Sequence, residues 1–277
     1  VGRKDLANAI VLNSSIFNSA RIVGPSIAGI LIAKVGTDIC FFINAISFIP
    51  VIAGIIAIEP LKREIYSVKD EDKKGWIVEL KEGIFYVKSN PSIYIPLLLL
   101  AIVNIVAINF NVIVPLFSKN VFHSGAKGLG FLMSANGIGA VTGAISLAAA
   151  GKKRLKPKLL YNATLVLGLS EILMLITKTH LPAYLLLAIA GMSTITLVTT
   201  TNSLIQMQVP NHLRGRVMSI YTFVFAGLSP IGNFLTGSMA NWTGAPLTIA
   251  LGGLICLVIG LLFRIKTKNL EDTASLK

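Results

Sequence analysis

The sequence predicts an all-α polytopic membrane protein, and three observations carry that expectation. Apolar residues make up 54% of the 277 positions and charged residues only 13%, against roughly 25% charged in soluble domains. Mean hydropathy is +0.76, and nearly uncharged stretches close to the length that crosses about 30 Å of hydrocarbon as helix recur along the chain. Basic residues alternate between successive connections. Segments 1–7, 59–92, 151–158, 206–216 and 264–277 hold 20 of the 25 Lys and Arg, whereas the other connections hold only Lys34, Lys119, Lys127 and Lys178. By the positive-inside rule the first set, with both ends of the chain, is cytoplasmic.

Eight spans follow from hydropathy and breakers: 8–34, 39–58, 93–117, 129–150, 159–177, 181–205, 217–240 and 246–263. The net charge of +13 is explained by loop sorting. Nucleic-acid binding, which needs a basic face interleaved with aromatics, finds no support. Cys40 and Cys256 lie in apolar runs with no His or Cys beside them, so they read as buried hydrophobes and no metal or cofactor is expected.

In the first span Ser14, Asn18, Arg21, Pro25 and Ala28 fall on one helical stripe. An arginine this deep is expected to face a cavity or a gating interface. Pro25 removes the amide that would bond the Arg21 carbonyl, and Gly24 and Gly29 offer a smooth packing surface. Segment 59–92 is the one long connection. Its last part places Trp76, Leu80, Ile84 and Val87 at helical spacing among charges, the pattern of an interfacial amphipathic helix.

The third span carries Asn104 and Asn111, seven apart, with Asn109 off their face. Such amides either bond neighbouring helices or line a cavity. Gly139 and Gly143 in the fourth span read as a helix-packing pair, since the spacing with Gly137 is not that of a dinucleotide loop. Glu171 is the only acid well inside a span. It is either a proton carrier or a side chain reaching interfacial water near Thr177. Thr196, Thr199, Ser203 and Gln206 stripe the sixth span, and Ser and Thr often satisfy their own helix. On the seventh span Tyr221 and Phe225, one turn apart, suit either core packing or stacking on an aromatic substrate. Neither a phosphate loop nor a Ser/His/Asp arrangement occurs, and an enzyme is not expected.

A weak internal repeat relates the first span to the seventh: Leu6 and Leu213, Pro25 and Pro230, Gly29 and Gly237, Gly36 and Gly244 are 205 to 208 residues apart. A repeat unit of six helices makes this chain helices five to twelve of twelve, with four preceding Val1. The domains are then the end of one bundle (1–58), a cytoplasmic central loop (59–92), a six-helix bundle (93–263) and a tail (264–277).

These features resemble the major facilitator superfamily, whose halves are parallel repeats. Ala20-x-x-x-Gly24-Pro25-x-x-Ala28-Gly29 resembles the Gly-Pro signature of its proton-coupled antiporters, with alanines where two glycines are usual. Asp5 to Ala9, leading to Asn18 and Arg21, and the run Pro210 to Ser219 containing Arg214-Gly215-Arg216, are similar to bacterial efflux members related to enterobactin and macrolide exporters. The loop at 151–158 departs from the family's acidic-basic gating motif, having no Asp. The resemblance implies a proton-coupled exporter of amphipathic small molecules in the bacterial cytoplasmic membrane, monomeric when complete. It implies that the Gly-Pro helix, with Arg21, Gly24, Pro25 and Gly29, seals the interface between bundles. Arg214 and Arg216 act at the cytoplasmic gate or simply enforce topology, and the spans themselves offer Asn18, Asn104, Asn111, Thr199, Tyr221 and Phe225 as cavity candidates. A facilitator-fold importer or uniporter, or a scaffold or sensor that has lost transport, is the alternative.

Overall fold

The computed structural model describes residues 31, 35, 38–57, 75–150 and 156–274. Of the first span only Leu31 is described, and Asn18, Arg21, Gly24, Pro25 and Gly29 lie outside the described residues. Among the described residues the structure is helical throughout: α1 (Asp38–Ile56), α2 (Trp76–Ser89), α3 (Pro91–Val106), α4 (Phe110–Asn120), α5 (Ala126–Ala150), α6 (Pro157–Met174), α7 (His180–Gln208), α8 (Asn211–Thr222), a π turn (Phe223–Gly227), α9 (Ser229–Thr243) and α10 (Ala245–Ala274).

Among the described residues six helical stretches are long and apolar enough to cross a membrane: Asp38–Ile56, Pro91–Asn120, Ala126–Leu147, His180–Gln208, His212–Thr243 and Ala245–Ile265. Eight were expected. One of the other two, the first, lies outside the described residues apart from Leu31. The other is α6, which forms where expected, but Lys158, Asn162 and Glu171 within its 18 residues make it less apolar than the six. Packing between elements and not composition holds it in the bundle: α6 lies along both α7 and α10.

Close helix approach is made by glycine, because lipid supplies no hydrophobic drive between helices and van der Waals contact must do so. A Cβ on Gly139 of α5 would sit 1.8 Å from the Ala188 carbonyl oxygen of α7, and one on Gly191 2.0 Å from that of Asn136. Neither helix can accept even an alanine there without separating. The Asn136 Nδ2 donates to Leu187 O at 3.2 Å across the same seam, so Gly139 and Gly143 are the packing pair that their spacing suggested. On the other side, Gly168 of α6 and Gly253 of α10 meet backbone to backbone.

The core is mainly aliphatic, with Leu99, Leu100, Val103, Leu132, Leu160, Leu167 and Leu197 fully buried and Phe117 and Tyr161 among them. Phe131, Ile145, Leu169, Leu181 and Phe234 point outward, as in a bundle whose solvent is hydrocarbon. The amphipathic segment does form a helix, α2, though with its faces reassigned. Val87 and Gly83 turn inward, while Leu80 and Ile84 are exposed.

Candidate functional site

Among the described residues two spans of the bundle are interrupted, and buried amides lie at the interruptions. The Pro91–Asn120 span breaks at 107–109, where Ala107 (φ −129°, ψ −40°) and Asn109 (φ −114°, ψ 35°) leave helical geometry. Ala107 N and Ile108 N both bond to Val103 O, at 2.9 and 3.1 Å. That crowding frees later carbonyls of α3, one of which, Ile105 O, accepts from Asn109 Nδ2 at 2.8 Å. Asn109 is buried, and its Oδ1 has no partner among the described residues. Asn109, set aside in the sequence as facing away from Asn104 and Asn111, thus marks the break. Nothing in its hydropathy signals this; the amide's value lies in reaching back four residues.

The second interruption is the π turn between α8 and α9. Pro230 has no amide to bond the Ala226 carbonyl and its ring clashes with a regular turn. The chain widens instead, so that Leu228 N reaches Phe223 O, five residues back, at 3.1 Å. Carbonyls freed by a π turn in lipid need donors. Asn104 supplies them: its Nδ2 donates to Val224 O and Phe225 O, both at 2.9 Å. Ser229 Oγ donates to Phe225 O at 3.3 Å. One fully buried amide on α3 thereby clasps the widened turn of the neighbouring span.

Tyr221 and Phe225 flank that turn with ring centroids 6.3 Å apart and planes inclined by 12°. The Tyr221 hydroxyl donates to Val198 O on α7 at 3.3 Å, and Phe225 is 37% exposed. Asn104, Tyr221 and Phe225 therefore form one cluster. Thr199 sits partly buried on α7 one residue beyond Val198, and Asn111 is exposed on α4 away from the cluster. Thr196 bonds its own helix at Met192 O, 2.7 Å.

Glu171 is 1% exposed, and neither carboxyl oxygen has a hydrogen-bond partner among the described residues. Of the two placements the sequence allowed, the structure adopts the buried one. The side chain fits against α10 because residues 252 and 253 are glycines. A Cβ on Gly253 would lie 2.9 Å from Glu171 Cβ. One on Gly252 would lie 2.3 Å from Val106 O and 3.6 Å from Glu171 Oε2. The carboxyl and the last carbonyl of α3 therefore face the same point of α10, at the edge of the 107–109 break.

At the start of α8, Arg214 and Gly215 are exposed. Arg216 turns back onto α2, with Nη2 2.9 Å from Glu79 Oε1 and Nη1 paired with Glu82. Gly83 lets the two helices meet, since a Cβ there would be 3.2 Å from Arg216 Cβ.

Among the described residues, interrupted apolar spans with buried amides at the interruptions and one buried acid mark a polytopic membrane protein whose polar groups gather inside the bundle. The transmembrane secretion effector family of the major facilitator superfamily matches residues 1–277, and the chain belongs to it. It is 27% identical over 264 residues to the multidrug efflux pump Tap of Mycolicibacterium fortuitum, covering 92% of this chain and 62% of that protein. It is 26% identical to the MFS-type transporter YfiS of Bacillus subtilis, over 96% of this chain and 65% of that one. With the staphyloferrin A transporter of Staphylococcus aureus it shares 23% identity, over 95% of this chain and 64% of the relative. The chain thus spans just under two thirds of the length of these relatives.

Proposed function

We propose that the protein is a secondary exporter that moves an amphipathic small molecule, drug-like or siderophore-like, outward in exchange for protons, by alternating access between two six-helix bundles. In this reading the chain is helices five to twelve, with 59–92 as the cytoplasmic link between bundles. The observation that carries it is Glu171, a buried carboxyl facing the interruption of a neighbouring span. A carboxyl so placed is expensive to keep in the membrane without a task. Alternate protonation there changes what the freed end of α3 meets, and the 107–109 break is a place where the span can flex. The names of two relatives, a multidrug efflux pump and a staphyloferrin A transporter, support a drug-like or siderophore-like cargo. Asn104, Tyr221 and Phe225 supply an amide and two aromatic faces for it, and Arg21 of the first span adds a charge.

The test is proton movement in liposomes holding the full-length protein and an internal pH-sensitive dye. Adding a transported drug changes internal pH with the wild type and not with Glu171→Gln. A variant that still moves protons with substrate removes Glu171 from the coupling.

A further inference from the structure

We propose that the groove between α2, α3 and the π turn is a binding site for one anionic phospholipid, its acyl chain in the groove and its phosphate on Lys88. The groove has a volume of about 190 Å³ and is walled by Ile84 and Val87 of α2, Leu97 and Ala101 of α3, and Val224 of the π turn. Lys88 is the one charged group on its wall.

Charge sorting on α2 selects the occupant. Ile77, Val78, Lys81, Ile84, Phe85 and Lys88 share one face at helical spacing, and all six are exposed. Phe85 is 74% exposed. The acids of the helix, Glu79 and Glu82, turn the other way and are taken by Arg216. What α2 presents outward is therefore apolar and cationic, complementary to a lipid whose headgroup is negative. The groove also lies at headgroup height, because Lys88 is three residues before Pro91, where the Pro91–Asn120 span begins. Val224, on its wall, offers its carbonyl to Asn104, so a lipid seated there rests against the clasped turn.

Native mass spectrometry of the full-length protein, stripped of lipid and titrated with palmitoyl-oleoyl phosphatidylglycerol or phosphatidylcholine, reads the site. The first phosphatidylglycerol should bind about five-fold tighter than phosphatidylcholine, the effect of one lysine near an anionic headgroup. Lys88→Gln should abolish that preference. Lys81→Gln, on the same face but outside the groove, should leave it within about two-fold. Ala101→Phe should weaken binding of both lipids by filling the groove. Equal wild-type affinity for the two lipids overturns the proposal, as does an equal loss in Lys81→Gln and Lys88→Gln, which would mean diffuse attraction to α2. None of these readouts depends on transport, so they stand apart from any result at Glu171.

Discussion

Asn104→Leu isolates the clasp on the π turn. Leucine has the branched four-atom skeleton of asparagine and is somewhat bulkier, so the change removes two donated hydrogen bonds, to Val224 O and Phe225 O at 2.9 Å each, and opens no cavity. Interhelical hydrogen bonds in membranes average about 0.6 kcal/mol and reach about 1.7 kcal/mol. Asn104 is fully buried, so water does not replace it, and the two losses add to roughly 1–3 kcal/mol. Reversible unfolding in mixed micelles measures the total. Hydrogen exchange locates it, because the Leu228 amide bonds across the widened turn to Phe223 O and should exchange faster once the carbonyls beside it lose their donor. Ser229→Ala, which removes a 3.3 Å contact to Phe225 O and a 3.5 Å contact to Asn104 Oδ1 while leaving both bonds donated by Asn104, should cost less than half as much. A loss below about 0.5 kcal/mol in Asn104→Leu, with exchange at 228 unchanged, would show that Pro230 alone sets the turn and that the clasp is incidental.

Other outcomes follow from the same geometry. Gly191→Ala sets a methyl where the Asn136 carbonyl lies 2.0 Å away; it should separate α5 from α7 and lower stability by about 1–3 kcal/mol, read as a fall in the detergent melting temperature. Gly252→Ala puts its methyl on Val106 O, 2.3 Å away, and should displace the end of α3 from α10; transport should fall while Glu171→Gln in the same background adds little further loss, which a double-mutant cycle checks. Arg216→Ala should change stability by no more than about 1 kcal/mol, since Arg216 and its carboxylate partners are partly exposed and screened. It should nonetheless raise proteolysis near α2, and wild-type protection of that helix should decline with salt.

Much of this fold is legible in the sequence because membrane crossing imposes a coarse code. Length, hydropathy and loop lysines place the described spans to within a few residues, from 93–117 against Pro91–Asn120 to 246–263 inside Ala245–Ile265. The Gly139 and Gly143 pair was readable for the same reason, since close helix approach leaves small residues in a fixed rhythm. The interruptions were not. A widened turn is hinted at by Pro230, but which side chain answers its freed carbonyls depends on Asn104, about 120 residues earlier, lying opposite. The break at 107–109 has no proline at all and shows only as Asn109. Likewise, the faces of α2 could not be ordered from its own periodicity, because Arg216, far along the chain, decides where Glu79 and Glu82 go. Glu171 stood out by type, while its burial depended on Gly252 and Gly253 of another helix.

The measurement closest to the central claim is substrate accumulation in everted membrane vesicles from cells expressing the full-length protein, with the vesicle interior acidified. The account predicts accumulation of an amphipathic drug that collapses when the gradient is dissipated, and that Glu171→Gln eliminates while leaving the protein folded and abundant. Accumulation that survives both the dissipated gradient and Glu171→Gln would contradict it.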